Sequence, residues 1–236
     1  GSAYNPGIGI RSFGRDPVMV GKMGSAFIRG QEGHMVAACV KHFPGKGAAT
    51  VDAHVDLPLV KVSKIDLNKI HLAPFKDAIK AAVAAVMTSH VLMPAVDRRS
   101  PATFSRKAVH GLLRKDLGFK GLIVSDDLCM GAVTKRLPVA EAAVAALDAG
   151  HDLRIVAHGE SLMREAAEAA GLALEGGPEK AAINARLAAF MRRWGGRTTA
   201  SSPKPDAALA ARISGGAVEG GPGLFRQDAL EDDLAD

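Results

Sequence analysis

Four short apolar runs, each turning polar at its carboxyl end and each followed by a longer stretch of helical period, constrain this chain more than any other feature. They are "MVAACV" (35–40), "AAVMTSHV" (84–91), "GLIVSDDL" (121–128) and "HDLRIVAH" (151–158). Continuous apolar runs of this length are those of strands covered on both faces, the signature of a parallel sheet. Helical segments lie between and after them. Ser63 with Asp66 forms an N-cap and third-position acid ahead of Ile70, Phe75 and Ile79, and Ser105 caps a helix carrying Val109, Leu112, Leu113 and Leu117 that Gly118 stops. Ala-rich helices fit 138–149, 160–174 and 178–194. Strand and helix in alternation require right-handed parallel crossovers, and so an α/β fold.

In such folds functional groups collect at the carboxyl ends of the strands. Here "KHFPG", "TSH", "SDD" and "AHG" leave the four strands in turn, so four polar tips face one cavity. Taken singly, each tip has an ordinary structural reading, since Asp and Ser are common helix caps and a strand-end His is more often structural than catalytic. Convergence of all four by topology favours a site.

Composition narrows what that site can do. With 47% hydrophobic and 23% charged residues, the 236-residue chain reads as one globular domain over 1–195 followed by a Gly/Pro/Ser-rich, poorly ordered tail over 196–236. No apolar run reaches bilayer length and no leader segment is evident, so neither a membrane partner nor export is expected. The net charge of +5 is scattered, and a single Tyr and a single Trp leave nothing to stack on bases, so no nucleic-acid partner is expected. Cys39 and Cys129 sit in or beside apolar runs, which suits reduced thiols in a cytoplasmic setting. There is no Cys/His spacing for zinc, no phosphate loop and no dinucleotide fingerprint, so no metal or cofactor is expected. Ser125 lacks the flanking glycines of a nucleophile elbow. Carboxylate and imidazole chemistry remains: Asp52 and His54 are spaced so that the carboxylate can orient the imidazole, and Asp126 ends a strand where it can act as a nucleophile.

Four separated stretches resemble consecutive signatures of glycoside hydrolase family 3: "RSFGRDP", "KHFPGKG…VDAHVDLP", "VMTSHVLMPAVD…PATFS" and "LLRKDLGFKGLIVSDDLCMGAV". The likeness is to its single-domain bacterial β-N-acetylglucosaminidases of peptidoglycan recycling and covers residues from about 5 to 160 in the family's order. It implies a TIM (β/α)8-barrel of which only about the carboxyl-terminal half is evident here. It also implies a retaining mechanism, with Asp126 as nucleophile and His54 as general acid and then base, paired with Asp52 on a mobile loop. Lys41, His42 and Arg11 match positions that bind sugar hydroxyls, and Met130 matches one against the acetamido group. Asp127 is read as structural, a helix cap. The implied substrate is a muropeptide or chito-oligosaccharide bearing a non-reducing N-acetylglucosamine.

Three departures stand beside the likeness. Lys46 replaces the family's histidine in the loop, and a flexible ammonium cannot copy an oriented imidazole. The family's first barrel strands have no counterpart ahead of "RSFG", so four strands stand where a closed barrel needs eight. The tail matches no family segment. The alternative reading is therefore an inactive or partner-dependent half-barrel, for which a second copy is the candidate partner because a homodimer can complete the ring of strands.

Overall fold

The computed structural model describes Asn5, Ile8 and residues 11–175 and 179–195; the tail expected at 196–236 lies outside these. Its centre is a four-stranded parallel sheet, β1 (Cys39–Phe43), β2 (Ala85–Thr88), β3 (Leu122–Asp127) and β4 (Leu153–Ile155), paired in the order β1-β2-β3-β4. Strictly sequential order has a consequence for architecture. A doubly wound sheet reverses direction at a switch point, whereas a barrel adds each strand beside the last. The sheet is thus an arc of a (β/α)8 barrel, and among the described residues nothing pairs with the outer edges of β1 and β4.

The crossovers form where capping chemistry starts them. After β1, the Ser63 hydroxyl accepts from Asp66 N at 3.0 Å and donates to its carboxylate at 2.7 Å, opening α2 (Lys64–Asp66), which runs through a π-helical turn at Leu67–His71 into α3 (Ala73–Lys80). After β2, Ser105 accepts from Ala108 N at the start of the helix over Lys107–Asp116, and Gly118 ends the segment at a φ of +68°. This helix is wound as a π-helix, with Leu117 N donating to Leu112 O five residues back, where the sequence pattern indicates an α-helix. The helices α4 (Gly131–Thr134) and α5 (Val139–Ala149) lead to β4, and α6 (Glu160–Leu174) and α7 (Glu179–Trp194) follow.

Two expectations are corrected. The first strand is not 35–40: Met35 and Val36 are exposed, and pairing begins at Cys39 and runs through Lys41 and His42 to Phe43. Much of the polar tip therefore lies inside the strand. The last strand is confined to Leu153–Ile155 within the expected 151–158. Helix α1 (Pro17–Gly33) has no counterpart in the sequence reading. Val18, Met19, Met23 and Phe27 stay exposed on it, so no buried stripe of helical period marks it, and only Asp16, accepting from Val18 N and Met19 N ahead of Pro17, signals its start.

The two faces of the sheet are covered differently. Val86, Ile123, Val109, Leu113 and Phe119 join Phe43 and Phe75 in the outer core against the crossover helices. Ala85, Leu122 and Val124 alternate onto the other face, where Ile155 and the α7 residues Leu187 and Phe190 pack on them. A buried carboxylate fixes this arrangement. Asp152 accepts from Arg114 Nη2 and Arg186 Nε, each at 2.7 Å, and from Ile123 N at 2.8 Å, tying the Lys107–Asp116 helix, α7 and β3 to one point. Removing one partner of such a group leaves the others desolvated and unpaired. Asp152→Ala is expected to lower unfolding free energy by about 3 kcal/mol in urea titrations, and a loss below about 1 kcal/mol, the scale of a surface pair, would refute its anchoring role.

Candidate active site

Two residues of β1 turn to one side because the strand is irregular. Val40 pairs with Val86 and Phe43 with Thr88, so Lys41 and His42 together oppose the single residue Met87. A bulge of this kind re-aims a side chain without breaking the sheet. His42 is thereby 8% exposed, with Nε2 3.7 Å from Asp126 Oδ2, while Phe43 returns to the outer core and packs edge-on against Phe75 at 5.3 Å. Burial pushes the His42 imidazole down to about 4, against the opposing pull of Asp126. At neutral pH the ring is uncharged, so its approach to Asp126 is a polar contact rather than an ion pair.

Asp126, the last residue but one of β3, has its side chain 15% exposed, and its Oδ1 accepts from Asp127 N at 3.0 Å. The neighbouring Asp127 has a different occupation. Its Oδ1 accepts from Cys129 N and from Ala157 N, each at 3.0 Å, which joins the turn after β3 to the loop after β4. Asp127 is structural but does not cap α4, whose N-cap position is Met130.

Asp52 and His54 form the expected pair. His54 Nδ1 lies 2.8 Å from Asp52 Oδ1, and His54 N donates to the same oxygen at 3.0 Å. These two hydrogen bonds hold the Asp52 carboxyl below its usual range. Because the carboxylate only accepts, Nδ1 carries the proton of that bond and Nε2 is left to exchange one with a substrate or water. The ring is 66% exposed on its loop. That loop rests on the helix following Asp126, with Gly131 N donating to His54 O at 3.1 Å and Ala132 N to Ala53 O at 3.0 Å. Residue 131 must be glycine for this approach, since a Cβ there would collide with the carbonyl oxygens of His54 and Val55. Met130, 6% exposed, packs with Ala53 and Ala132 beneath the same loop.

Lys46 is 4% exposed and feels both carboxylates, Asp126 and Asp52, although burial is the larger effect and lowers its pKa. Arg11, Lys41, His42 and Lys46 line one cavity of about 710 Å³ walled by α1, β1 and α3. Asp126, Asp52 and His54 do not line it. Among the described residues no cluster suits a metal ion, no helix is long and apolar enough to cross a membrane, and Cys39 and Cys129 are free.

One feature of the site is not evident from the sequence. Below it lies a chain of fully buried polar side chains: His90 bonds Thr103 at 2.9 Å, Thr103 lies 3.3 Å from Thr88, and Thr88 bonds His151 at 2.9 Å. The "TSH" tip hints at it, but Thr103 and His151 come from distant segments.

The chain matches the model of the glycosyl hydrolase family 3 N-terminal domain over residues 1–191. It is 41% identical to the β-hexosaminidase of Thiobacillus denitrificans over 158 residues, 67% of this chain and 44% of that protein. A Neisseria meningitidis serogroup C β-hexosaminidase is 39% identical over 69% of this chain and 45% of its own length. The chain thus spans less than half the length of these relatives. Among solved structures, a family 3 β-N-acetylglucosaminidase from Paenibacillus sp. FPU-7 superposes with a TM-score of 0.81 at 39% identity, over 89% of this chain and 43% of that one. NagZ from Neisseria gonorrhoeae, in complex with N-trifluoroacetyl-D-glucosamine, superposes at 0.67 with 34% identity over 80% and 52%.

The buried histidines make stability depend on pH. His42 and His151 are both pushed down to about 4 by burial, from an ordinary 6.5. Between those values the unfolded chain binds protons that the folded chain refuses, so stability falls as pH falls through the window 6.5 to 4. The slope approaches about 1.4 kcal/mol per pH unit for each ring. Urea titrations at pH 7 and pH 5 are expected to show this loss; equal stability at both would contradict the burial of neutral rings.

Proposed function

The chain belongs to glycosyl hydrolase family 3 through that family's N-terminal domain, and on that premise we propose that it carries the catalytic half of a retaining β-N-acetylglucosaminidase. The observation that carries this reading is the coupling of Asp126 on β3 to the Asp52–His54 pair, through the Gly131 N to His54 O bond.

In the first step an Asp126 carboxylate oxygen bonds to the anomeric carbon as the glycosidic C–O bond breaks, and His54 Nε2 gives its proton to the departing oxygen. In the second, His54 takes a proton from water, whose oxygen displaces Asp126 from the same carbon. Two inversions give net retention. An imidazole with an acidic neighbour replaces the usual second carboxylic acid, since proton transfer needs only reach and a suitable pKa. Lys41, His42 and Arg11 are assigned to sugar hydroxyls, and Met130 to the acetamido methyl, an apolar contact that a thioether suits. The substrate class is a muropeptide or chito-oligosaccharide with terminal β-linked N-acetylglucosamine; the relatives' β-hexosaminidase names and the N-acyl glucosamine bound by the gonococcal protein support it. A cytoplasmic setting suits the two free thiols. The free edges of β1 and β4 favour a second reading, a half-barrel that turns over only with a partner, such as a second copy, completing the ring.

Two experiments test the proposal. His54→Ala is expected to slow hydrolysis of glycosides with basic leaving groups by about a hundredfold and of activated aryl glycosides far less, because acid assistance matters when the leaving oxygen is basic; equal losses on both would reject the shuttle role. A 2-fluoro sugar with a good leaving group should add one glycosyl mass to the peptide containing "VSDDL", and Asp126→Asn should abolish the label while the fold persists. Labelling at Asp127 would reassign the nucleophile, and a folded chain that binds N-acetylglucosamine without being labelled would favour the partner-dependent reading.

A further inference from the structure

Residues 88–90 leave β2 directly beside the end of β3. The two strands pair Ala85 with Leu122, Val86 with Ile123 and Met87 with Val124. Continued past Met87, this register sets Ser89 opposite Asp126 and His90 opposite Asp127. A side chain pins that alignment: His90 Nε2 donates to the Asp127 carbonyl at 2.9 Å, and its Nδ1 accepts from the Thr103 hydroxyl. Ser89 N also donates to Phe43 O of β1 at 2.9 Å, so the amide of residue 89 is still held by the neighbouring strand, and Val91 N donates to Ser89 O at 2.9 Å in the tight turn that follows. Alternation along β2 then directs its side chain onto the face of Ala85 and Met87, the face that carries Val124 on β3.

Ser89 is fully buried, and its Oγ has no hydrogen-bond partner among the described residues. Its neighbours differ. Thr88 bonds His151, Ser105 donates to Asp97 at 2.8 Å, and Ser125 Oγ accepts from Ile155 N at 3.0 Å. A buried hydroxyl left unpaired is costly, so an unpaired one beside a functional group calls for a partner. Adjacent strands lie about 4.8 Å apart, which brings a serine hydroxyl within one χ1 rotation of a carboxylate on the neighbouring strand. Asp126 has capacity for it: Oδ1 holds the Asp127 amide, while Oδ2 faces His42 at 3.7 Å, beyond hydrogen-bond length.

We propose that Ser89 is a positioning residue for Asp126, its hydroxyl rotating to donate to the carboxylate and holding it in the orientation from which one oxygen meets the anomeric carbon. The assignment rests on the nucleophilic role of Asp126 proposed above. Ser89 acts through that carboxylate and touches no substrate atom.

The test compares Ser89→Ala and Ser89→Thr with the unaltered chain in the 2-fluoro sugar reaction. Ser89→Ala is expected to slow the maximal labelling rate about tenfold, the effect of one hydrogen bond, with the half-saturating concentration unchanged and Ser89→Thr restoring most of the rate. An unchanged rate in Ser89→Ala, a half-saturation that rises in step with the loss, or a threonine variant no better than alanine would overturn the assignment. If the unaltered chain is not labelled at all, as the partner-dependent reading expects, the Ser89–Asp126 contact is read instead from the Asp126 carboxyl carbon by NMR, identified by its absence in Asp126→Asn. Movement of that resonance in Ser89→Ala, with the ring signals of His90 and His151 in place, supports the contact; an unmoved resonance rejects it.

Discussion

Parallel pairing in strict sequence order is the constraint on which this molecule depends. It sends every crossover helix to one face of the sheet and every strand end to one rim, before any side chain has a function. Apolar runs such as "LIV" of β3 satisfy the outer core at Ile123 and the inner contacts with α7 at Leu122 and Val124. The first residues free of that packing duty are those at the carboxyl ends, where Asp126 stands. Asp152 at the opposite end of β4 completes the division of labour: it is as buried as the core, but its hydrogen bonds go to Arg114, Arg186 and a β3 amide, so its charge is spent on holding the arc in shape.

What could be read from the sequence follows from the same division. Strands β2 and β3 lie within their expected runs because they are buried on both faces, and the Ser63 and Ser105 caps were legible because capping is local chemistry. Helix α1 was not legible, since its apolar residues stay exposed and leave no periodic stripe. The start of β1 misled for the opposite reason: Met35 and Val36 are apolar but unpaired, and the bulge at Lys41 and His42 that brings His42 to Asp126 has no sequence signature. The Asp52–His54 pair was legible from spacing alone because both partners lie on one short loop. The ties beneath Asp126 were not, since Thr88 comes from β2, Thr103 from the connection to β3 and His151 from the connection to β4, and they meet only in three dimensions.

The site holds two histidines in contrasting states, and environment decides between them. His42 is walled in between β1 and Asp126, where desolvation outweighs the attraction of the carboxylate and keeps the ring neutral. A neutral ring can orient a hydroxyl but is poorly suited to delivering a proton near pH 7. His54 stands in solvent with its Nδ1 committed to Asp52, which leaves Nε2 free. The buried ring thus suits binding, and the exposed ring suits proton transfer.

In the proposed mechanism, placing the proton shuttle on a loop and the nucleophile on a strand has a mechanical cost, because reacting groups must meet within a fraction of an ångström of their productive geometry. The structure meets it with backbone contacts rather than side chains. Gly131 N and Ala132 N hold the carbonyls of His54 and Ala53, and both donors belong to the helix that begins just past Asp126. The absence of a Cβ at Gly131 lets the loop approach to hydrogen-bond distance, and Met130, Ala132 and Ala53 fill the space beneath it. A displacement of β3 would therefore carry the loop with it, so Asp126 and His54 are referred to the same strand end. His90, by bonding the Asp127 carbonyl, refers that strand end in turn to β2. The geometry of the reacting groups is thereby set by hydrogen bonds to main-chain atoms of the arc itself.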